Sequence, residues 1–269
     1  MSTQHEPTTH KGTALITGAS TGIGSVYADR LARRGYDLIL VARSRDKLDA
    51  LARRIRDSSG RAVEVMAADL NNRADLARVE AVLREDARIT LLVNNAGVGS
   101  AAKLLESDVD KMDAMIALNV TALMRLTYAA VPAMVQRGRG ELINIASIVG
   151  IAPEILNGVY GGTKAFVVAL TQSLHHEHAE KGLHVHAVLP GATATPFWEI
   201  SGVPIEHLPS EIVMSAEDMV DAALAGFDQR ELLTIPALPD AADLQAYEAA
   251  RQKMMPNLSR SEPAARYRL

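Results

Sequence analysis

Thr17-Gly18-Ala19-Ser20-Thr21-Gly22-Ile23-Gly24 is the stretch whose reading decides the fold. An apolar run, Thr13 to Thr17, leads into it, and a segment at helical period, Gly22 to Arg34, leads out. A strand, a glycine-rich turn and a helix in that order form the place where an open α/β sheet holds a dinucleotide. Glycines lack a Cβ, so the turn can be tight and backbone N–H groups can approach a pyrophosphate, whose charge then meets the positive end of the helix. The spacing is G-x-x-x-G-x-G rather than the commoner G-x-G-x-x-G. A bare strand-to-helix turn would need no ligand, but position after the first apolar strand favours the phosphate-binding reading.

Outward from this turn, short apolar runs alternate with amphipathic stretches, the pattern of βαβ units feeding a parallel sheet. Seven strands are expected: Thr13 to Thr17, Leu38 to Ala42, Ala62 to Ala67, Leu91 to Asn94, Glu141 to Ala146, His184 to Leu189 and Leu232 to Ile235. Most are rich in Val, Ile and Leu without alternation, as when helices cover both faces. Helices are expected at Gly22 to Arg34, Arg45 to Asp57, Arg73 to Asp86, Val109 to Gln136, Val159 to Lys181, Ala216 to Gln229 and Ala241 to Met254. Gly35 and Gly182 stand where a left-handed cap suits glycine, and Ser215 is placed to cap the helix that follows it. The fold class is therefore α/β, a Rossmann-like, doubly wound, parallel sheet of about seven strands in a single domain over 12–254, with a leader at 1–11 and a tail at 255–269.

The chain has 269 residues, 48% of them hydrophobic, with a formal net charge of -4. That balance carries no global basic footprint for nucleic acid or an anionic membrane. There is no cysteine, which excludes disulfides, thiolate metal sites and cysteine nucleophiles. Residues 1–11 lack the apolar run of a signal peptide, and no stretch reads as 18 to 20 uncharged apolar residues. A cytoplasmic location is the expectation.

The end of the second strand tells which dinucleotide fits. It reads Val41-Ala42-Arg43, with no acid to accept from a ribose hydroxyl. Arg43 offers a planar fork to a 2′-phosphate, with Arg45 and Lys47 close behind, so NADP(H) is favoured over NAD(H). A solvated arginine at a strand end is the plain alternative. Asp69, followed by Leu70 after the third strand, is placed either to accept from an adenine amino group or to cap the next helix.

A second cluster lies downstream. Asn94-Asn95-Ala96-Gly97 ends the fourth strand, Ser147 follows the fifth, and Tyr160 and Lys164 stand one turn apart on one helical face. With the T-G-x-x-x-G-I-G turn and Pro190-Gly191, these motifs fall in the order and spacing of the short-chain dehydrogenase/reductase family, which the chain resembles over about residues 12 to 236. The resemblance implies an NAD(P)-dependent enzyme moving a hydride between a nicotinamide and a carbonyl or alcohol carbon. It implies Asn119, Ser147, Tyr160 and Lys164 as the catalytic set. Gly18, Ser20, Thr21, Gly22, Ile23, Gly24, Asn95, Ala96, Gly97, Tyr160, Lys164, Pro190 and Gly191 would border the cofactor, and Thr193 or Thr195 would touch the carboxamide or pyrophosphate. The chemistry is coherent: a ketone that accepts hydride develops alkoxide charge and needs a proton donor, and Lys164 would lower the tyrosine pKa towards neutrality. Asn119 would hold a water relaying protons towards Lys164. The family more often has Ser and Ala where this chain has Gly161-Gly162-Thr163, and two glycines cost roughly 2 kcal/mol of helix propensity.

The segment Ala192 to Met214, with Phe197, Trp198, Ile200 and three prolines, is placed to act as a substrate lid. Trp198 either faces an apolar substrate or packs within the lid. His175, His176, His178, His184 and His186 carry no metal motif, so no metal is expected and they read as solvated or interface residues. Met112, Met115, Ile116, Leu123, Met124 and Leu126, with Phe166, Val167, Val168, Leu170 and Leu174, give two helices more apolar surface than one face needs. A homodimer or homotetramer is expected from that surface. The leading function is reduction of an apolar ketone or oxo-acyl compound. A catalytically silent NADP-binding sensor is the alternative, and a dehydratase or epimerase is a third reading disfavoured by the glycine spacing.

Overall fold

The computed structural model describes residues 10–267; the leader expected at 1–11 lies almost wholly outside them. The chain divides into two compact units at Pro236, and the first carries the sheet. Six strands, β1 (Thr13–Thr17), β2 (Asp37–Ala42), β3 (Val63–Ala67), β4 (Ile89–Asn94), β5 (Gly140–Ile145) and β6 (Leu183–Val188), are joined by β9 (Leu233–Thr234) in one parallel sheet ordered β3-β2-β1-β4-β5-β6-β9. The order reverses between β1 and β4, so a crevice opens at their carboxyl ends, where such sheets bind ligands.

Both faces are covered, which explains why the strands are continuously apolar. Successive residues of β1 face opposite ways: Ala14 and Ile16 join a core with Leu31, Leu48, Ile55, Val220 and Phe227, while Leu15 joins another with Leu76, Val79, Leu126, Met134 and Leu174. The first core is roofed by α1 (Gly22–Arg33), α2 (Arg45–Ser59) and α8 (Ala216–Asp228). The second is roofed by α3 (Arg73–Glu85), α5 (Leu123–Gln136) and α6 (Gly158–His178). Gly35 and Gly182 do adopt the left-handed conformation, and the Ser215 hydroxyl accepts from the Asp218 N–H at 3.0 Å.

Three differences from the sequence reading matter. The helix expected over Val109 to Gln136 is interrupted: α4 (Val109–Ile116) passes through a π-helical turn, Ala117–Ala122, before α5 begins. By length and composition Val109–Gln136 is also apolar enough to cross a membrane, which the sequence reading did not credit to any stretch. Half of its apolar window is buried inside the protein, and Arg125 on it pairs with the buried Glu80, so a core helix accounts for the composition. The lid is not loop alone: it holds a short helix, α7 (Phe197–Ser201), between two-residue strands β7 (Thr193–Ala194) and β8 (Met214–Ser215), which pair with each other.

The second unit begins at Ala237. It contains α9 (Ala241–Met254), capped by Asp240 and with no buried residue.

Candidate active site

The glycine turn is shaped by its neighbours. Gly18 and Gly22 take φ values of +64° and +54°, where a side chain is strained. Thr17 and Asn95 fasten this turn to the end of β4. The Thr17 hydroxyl accepts from the N–H groups of Asn95 and Ala96, both at 3.0 Å, and Asn95 Nδ2 donates to the carbonyls of Thr17 and Gly18 at 2.9 and 3.1 Å. The two sequence motifs thus form one hydrogen-bonded unit.

That unit borders a cavity of about 1090 Å³. Of the expected cofactor residues, Gly18, Ser20, Thr21, Gly22, Ile23, Arg43, Asp69, Leu70, Asn95, Ala96, Gly97, Tyr160, Lys164, Pro190, Gly191, Thr193 and Thr195 line it. Gly24 does not. A Cβ there would sit 2.5 Å from Asn95 Nδ2, so its part is to let α1 pack against the β1 turn. Arg43 and Lys47 both reach the cavity, whereas Arg45 does not. Asp69 is not the cap of α3: Asn72 accepts from Ala74 N and Asp75 N, while Asp69 Oδ1 accepts from Asn71 N at the cavity edge. Thr195 lies against Gly22 at the phosphate turn, and the Thr193 carbonyl accepts from Trp198 Nε1 at 2.9 Å.

Beyond the turn, α6 carries Tyr160 and Lys164 into the same cavity. Its start is set by Asn157, whose Oδ1 accepts from the N–H groups of Val159 and Tyr160. Ser147 lies within hydrogen-bond reach of the Tyr160 phenol. Its other partners, the Pro190 carbonyl and the Val149 N–H, are both 3.4 Å away, so the hydroxyl is loosely held. Lys164 Nζ donates to the Ile145 carbonyl at 2.8 Å and stands 5.8 Å from the Tyr160 ring centre.

Burial governs both ionisations. It pushes the Tyr160 phenol up to about 12, opposed by the Ser147 hydrogen bond, and brings Lys164 down to about 8. The expected lowering of Tyr160 by Lys164 is not seen in this structure, where desolvation raises the phenol and only the Ser147 hydrogen bond opposes it.

Asn119 is brought to the site but not into the cavity. It sits in the π-helical turn, and its side chain is committed: Oδ1 accepts from Val98 N at 3.0 Å, and Nδ2 donates to Val98 O at 2.8 Å and to Thr163 Oγ1 at 3.1 Å. Both amide protons are used, so this side chain ties the loop after β4 to α6 rather than donating to a water. The two glycines after Tyr160 separate in role. A Cβ on Gly161 would lie 2.9 Å from Pro153 Cβ, while one on Gly162 would meet nothing within 4 Å.

Beyond Tyr160 an apolar cluster forms part of the cavity wall, which also carries Glu106, Asp108 and Lys111. Met112, Met115, Val149 and Tyr160 form a buried cluster, with Val98, Ile148, Leu156 and Phe197 packed on it. Trp198 packs edge-on against Phe197 within the lid and also borders the cavity. Asn157 and the walls from Met112, Met115, Val149 and Leu156 escaped the sequence reading. Asn157 was legible as a capping residue just before the helix; the others required knowing which helices meet.

His175 and His176 are exposed, as read, but His184 and His186 are not. His186 is fully buried, with Nδ1 on the Glu231 carbonyl at 2.8 Å, and His184 stacks on Phe227 at 4.2 Å, its pKa pulled down to about 4 chiefly by burial. Packing on Phe227, rather than solvent or an interface, explains both. Most of the apolar residues expected to face a partner also pack inside the subunit: Met112, Met115, Leu123, Leu126, Val167, Val168 and Leu174 are buried.

The strand order, the glycine turn and the Ser147, Tyr160 and Lys164 group define a nicotinamide-dependent oxidoreductase. The family model described as short chain dehydrogenase matches residues 12–202, and the chain belongs to the short-chain dehydrogenase/reductase family. A short-chain dehydrogenase from Sphingobium yanoikuyae, solved in complex with NADPH, is 51% identical with a TM-score of 0.92, covering 96% of this chain and 100% of that one. The bulky-bulky ketone specific alcohol dehydrogenase from Comamonas testosteroni is 44% identical with a TM-score of 0.88, covering 96% and 99%. A very-long-chain 3-oxoacyl-CoA reductase of Anas platyrhynchos is 37% identical over 193 residues, 70% of this chain but 62% of that protein, so the match spans less than two thirds of the reductase.

Proposed function

We propose that the chain is an NADP(H)-dependent oxidoreductase that interconverts a ketone carrying bulky apolar groups and its secondary alcohol. The observation that carries this is the placing of the Tyr160 phenol, with Ser147 beside it, at the junction of a phosphate-binding turn and an apolar chamber within one cavity. The cofactor fits the residues present: Gly18 and Gly22 leave a backbone cradle, Arg43 and Lys47 supply cations for a 2′-phosphate, and Lys164 stands at the far end. The names of the Sphingobium and Comamonas relatives, an NADPH complex and a bulky-ketone enzyme, point the same way.

Bound NADPH supplies the hydride. Tyr160, protonated at neutral pH because burial holds its pKa near 12, gives its proton to the carbonyl oxygen as alkoxide charge develops. Ser147, loosely held, is free to donate a hydrogen bond to the same oxygen. Lys164 carries its charge below about pH 8 and offers ammonium donors to ribose hydroxyls. Asn119 and Thr163 act one step back, fixing the loop after β4 against α6. A protonated phenol suits reduction more than oxidation.

The exposed Tyr128 on α5 and the open face at Gly162 on α6 support self-association through these helices, which sedimentation would read. For the activity itself, NADPH oxidation at neutral pH with benzophenone as probe should exceed that with NADH by tenfold or more. Turnover with NADH alone would overturn the cofactor assignment; tight NADPH binding with no turnover on any ketone would favour a sensor.

A further inference from the structure

Phe197, the first residue of the lid helix α7, occupies a position that the reaction does not by itself require. Its ring lies 5.8 Å from the Tyr160 ring, tilted by 42°, and Trp198 packs against its edge at 5.6 Å. On its other side is Gly99, in the loop after β4. A Cβ on Gly99 would fall 2.8 Å from Phe197 Cε2, 3.3 Å from Cε1 and closer still to Cζ, so the ring rests directly on the glycine backbone. Gly99 has no left-handed backbone that would demand glycine. The close approach of the ring is what requires it.

The loop that offers this seat is held rigidly to the catalytic helix. Val98 exchanges two hydrogen bonds with the Asn119 side chain, and the Ala102 carbonyl accepts from Asn157 Nδ2 at 2.5 Å. The lid meets the same loop through a single backbone bond, Ala101 N to Ser201 O at 3.2 Å. Apart from its short β7–β8 ladder, α7 is therefore docked on the loop by one hydrogen bond and one ring.

We propose that Phe197 is a specificity-determining residue that walls the substrate chamber beside Tyr160, and that Gly99 is its seat. The proposal rests on the oxidoreductase reading above. With the ring seated, a ketone held at the Tyr160 phenol would have one substituent against Phe197, which packs on the same cluster as Met112, Met115 and Val149 and lines the cavity with them. The ring thus limits the size of one of the two ketone substituents, while the open chamber receives the other.

The test is a double-mutant cycle on the full chain with NADPH, using acetophenone and benzophenone as probes. Phe197→Ala should raise kcat/KM for benzophenone relative to acetophenone by tenfold or more, because truncation enlarges the restricted side. Gly99→Ala should displace the ring and raise the KM for acetophenone at least fivefold in the parent, but less than twofold in the Phe197→Ala background. NADPH Kd within twofold of the parent in each variant reports an intact fold. An unchanged size preference in Phe197→Ala, or an equal KM rise from Gly99→Ala in both backgrounds, would overturn the proposal. Failure of the parent to reduce either ketone while binding NADPH would instead contradict the activity on which it rests, and so distinguishes the two.

Discussion

The cofactor half and the substrate half of the cavity are built by different means. In the first, each feature is carried by a short motif with a fixed backbone shape: positive φ at Gly18 and Gly22, and a Thr17 hydroxyl and Asn95 amide that lock two such motifs together across 78 residues through backbone atoms. In the second, the wall is assembled from α4, the turn after β5 with the α6 that follows it, and the lid, three stretches well separated in sequence. Local backbone geometry leaves a signature in residue type and spacing; apolar packing requires only suitable volume and tolerates many side chains. The two halves should therefore respond differently to substitution.

The largest effect short of removing the proton donor is expected at Gly24. Its Cβ would meet both the Gly18 carbonyl and Asn95 Nδ2, so Gly24→Ala overpacks the joint between the two motifs. A loss of about 1 to 3 kcal/mol in unfolding stability is expected, together with weaker NADPH binding. Chemical denaturation and a fluorescence titration read these. A neutral result would mean the cofactor half is softer than its spacing implies.

Next comes Arg43→Ala. Losing one cation from the expected 2′-phosphate site should weaken NADPH about tenfold, about 1.4 kcal/mol, and leave NADH unchanged. Equal weakening of both cofactors would remove the phosphate from the account, with Lys47 then the remaining cavity cation on that side.

Within α6, two adjacent glycines should give opposite signs. Gly162→Ala adds a methyl to open space and gains roughly 0.5 to 1 kcal/mol of helix stability. Gly161→Ala presses on Pro153 and should destabilise instead. Thermal unfolding of the two single variants separates them.

The smallest expected effect is a pH dependence. Burial lowers Lys164 to about 8, so its ammonium is present below that pH and lost above it. NADPH affinity should fall a few-fold as pH rises through about 8. Lys164→Met should bind more weakly at pH 7 and show no step at pH 8. A step persisting in that variant would assign the titration to another group.

How much of this was legible follows the same division. The number and parallel direction of the strands in the main sheet were readable because each apolar run was short and bounded by turns. Tyr160, Lys164 and Ser147 were readable through motif spacing. The committed Asn119 side chain was not, because its partners Val98 and Thr163 lie 21 and 44 residues away. The π-helical turn around it leaves no mark in an apolar helical pattern. His184 and His186 were misread because Phe227, on which they pack, comes from a helix some forty residues downstream.

Proton donation by Tyr160 is the claim on which the functional account stands. Tyr160→Phe keeps the ring that packs on Phe197 and removes only the hydroxyl, so NADPH Kd and benzophenone turnover should be measured on the same preparation. The account predicts a kcat lower by about 10² to 10⁴ with NADPH affinity within a few-fold of the parent. Turnover equal to the parent's would contradict it.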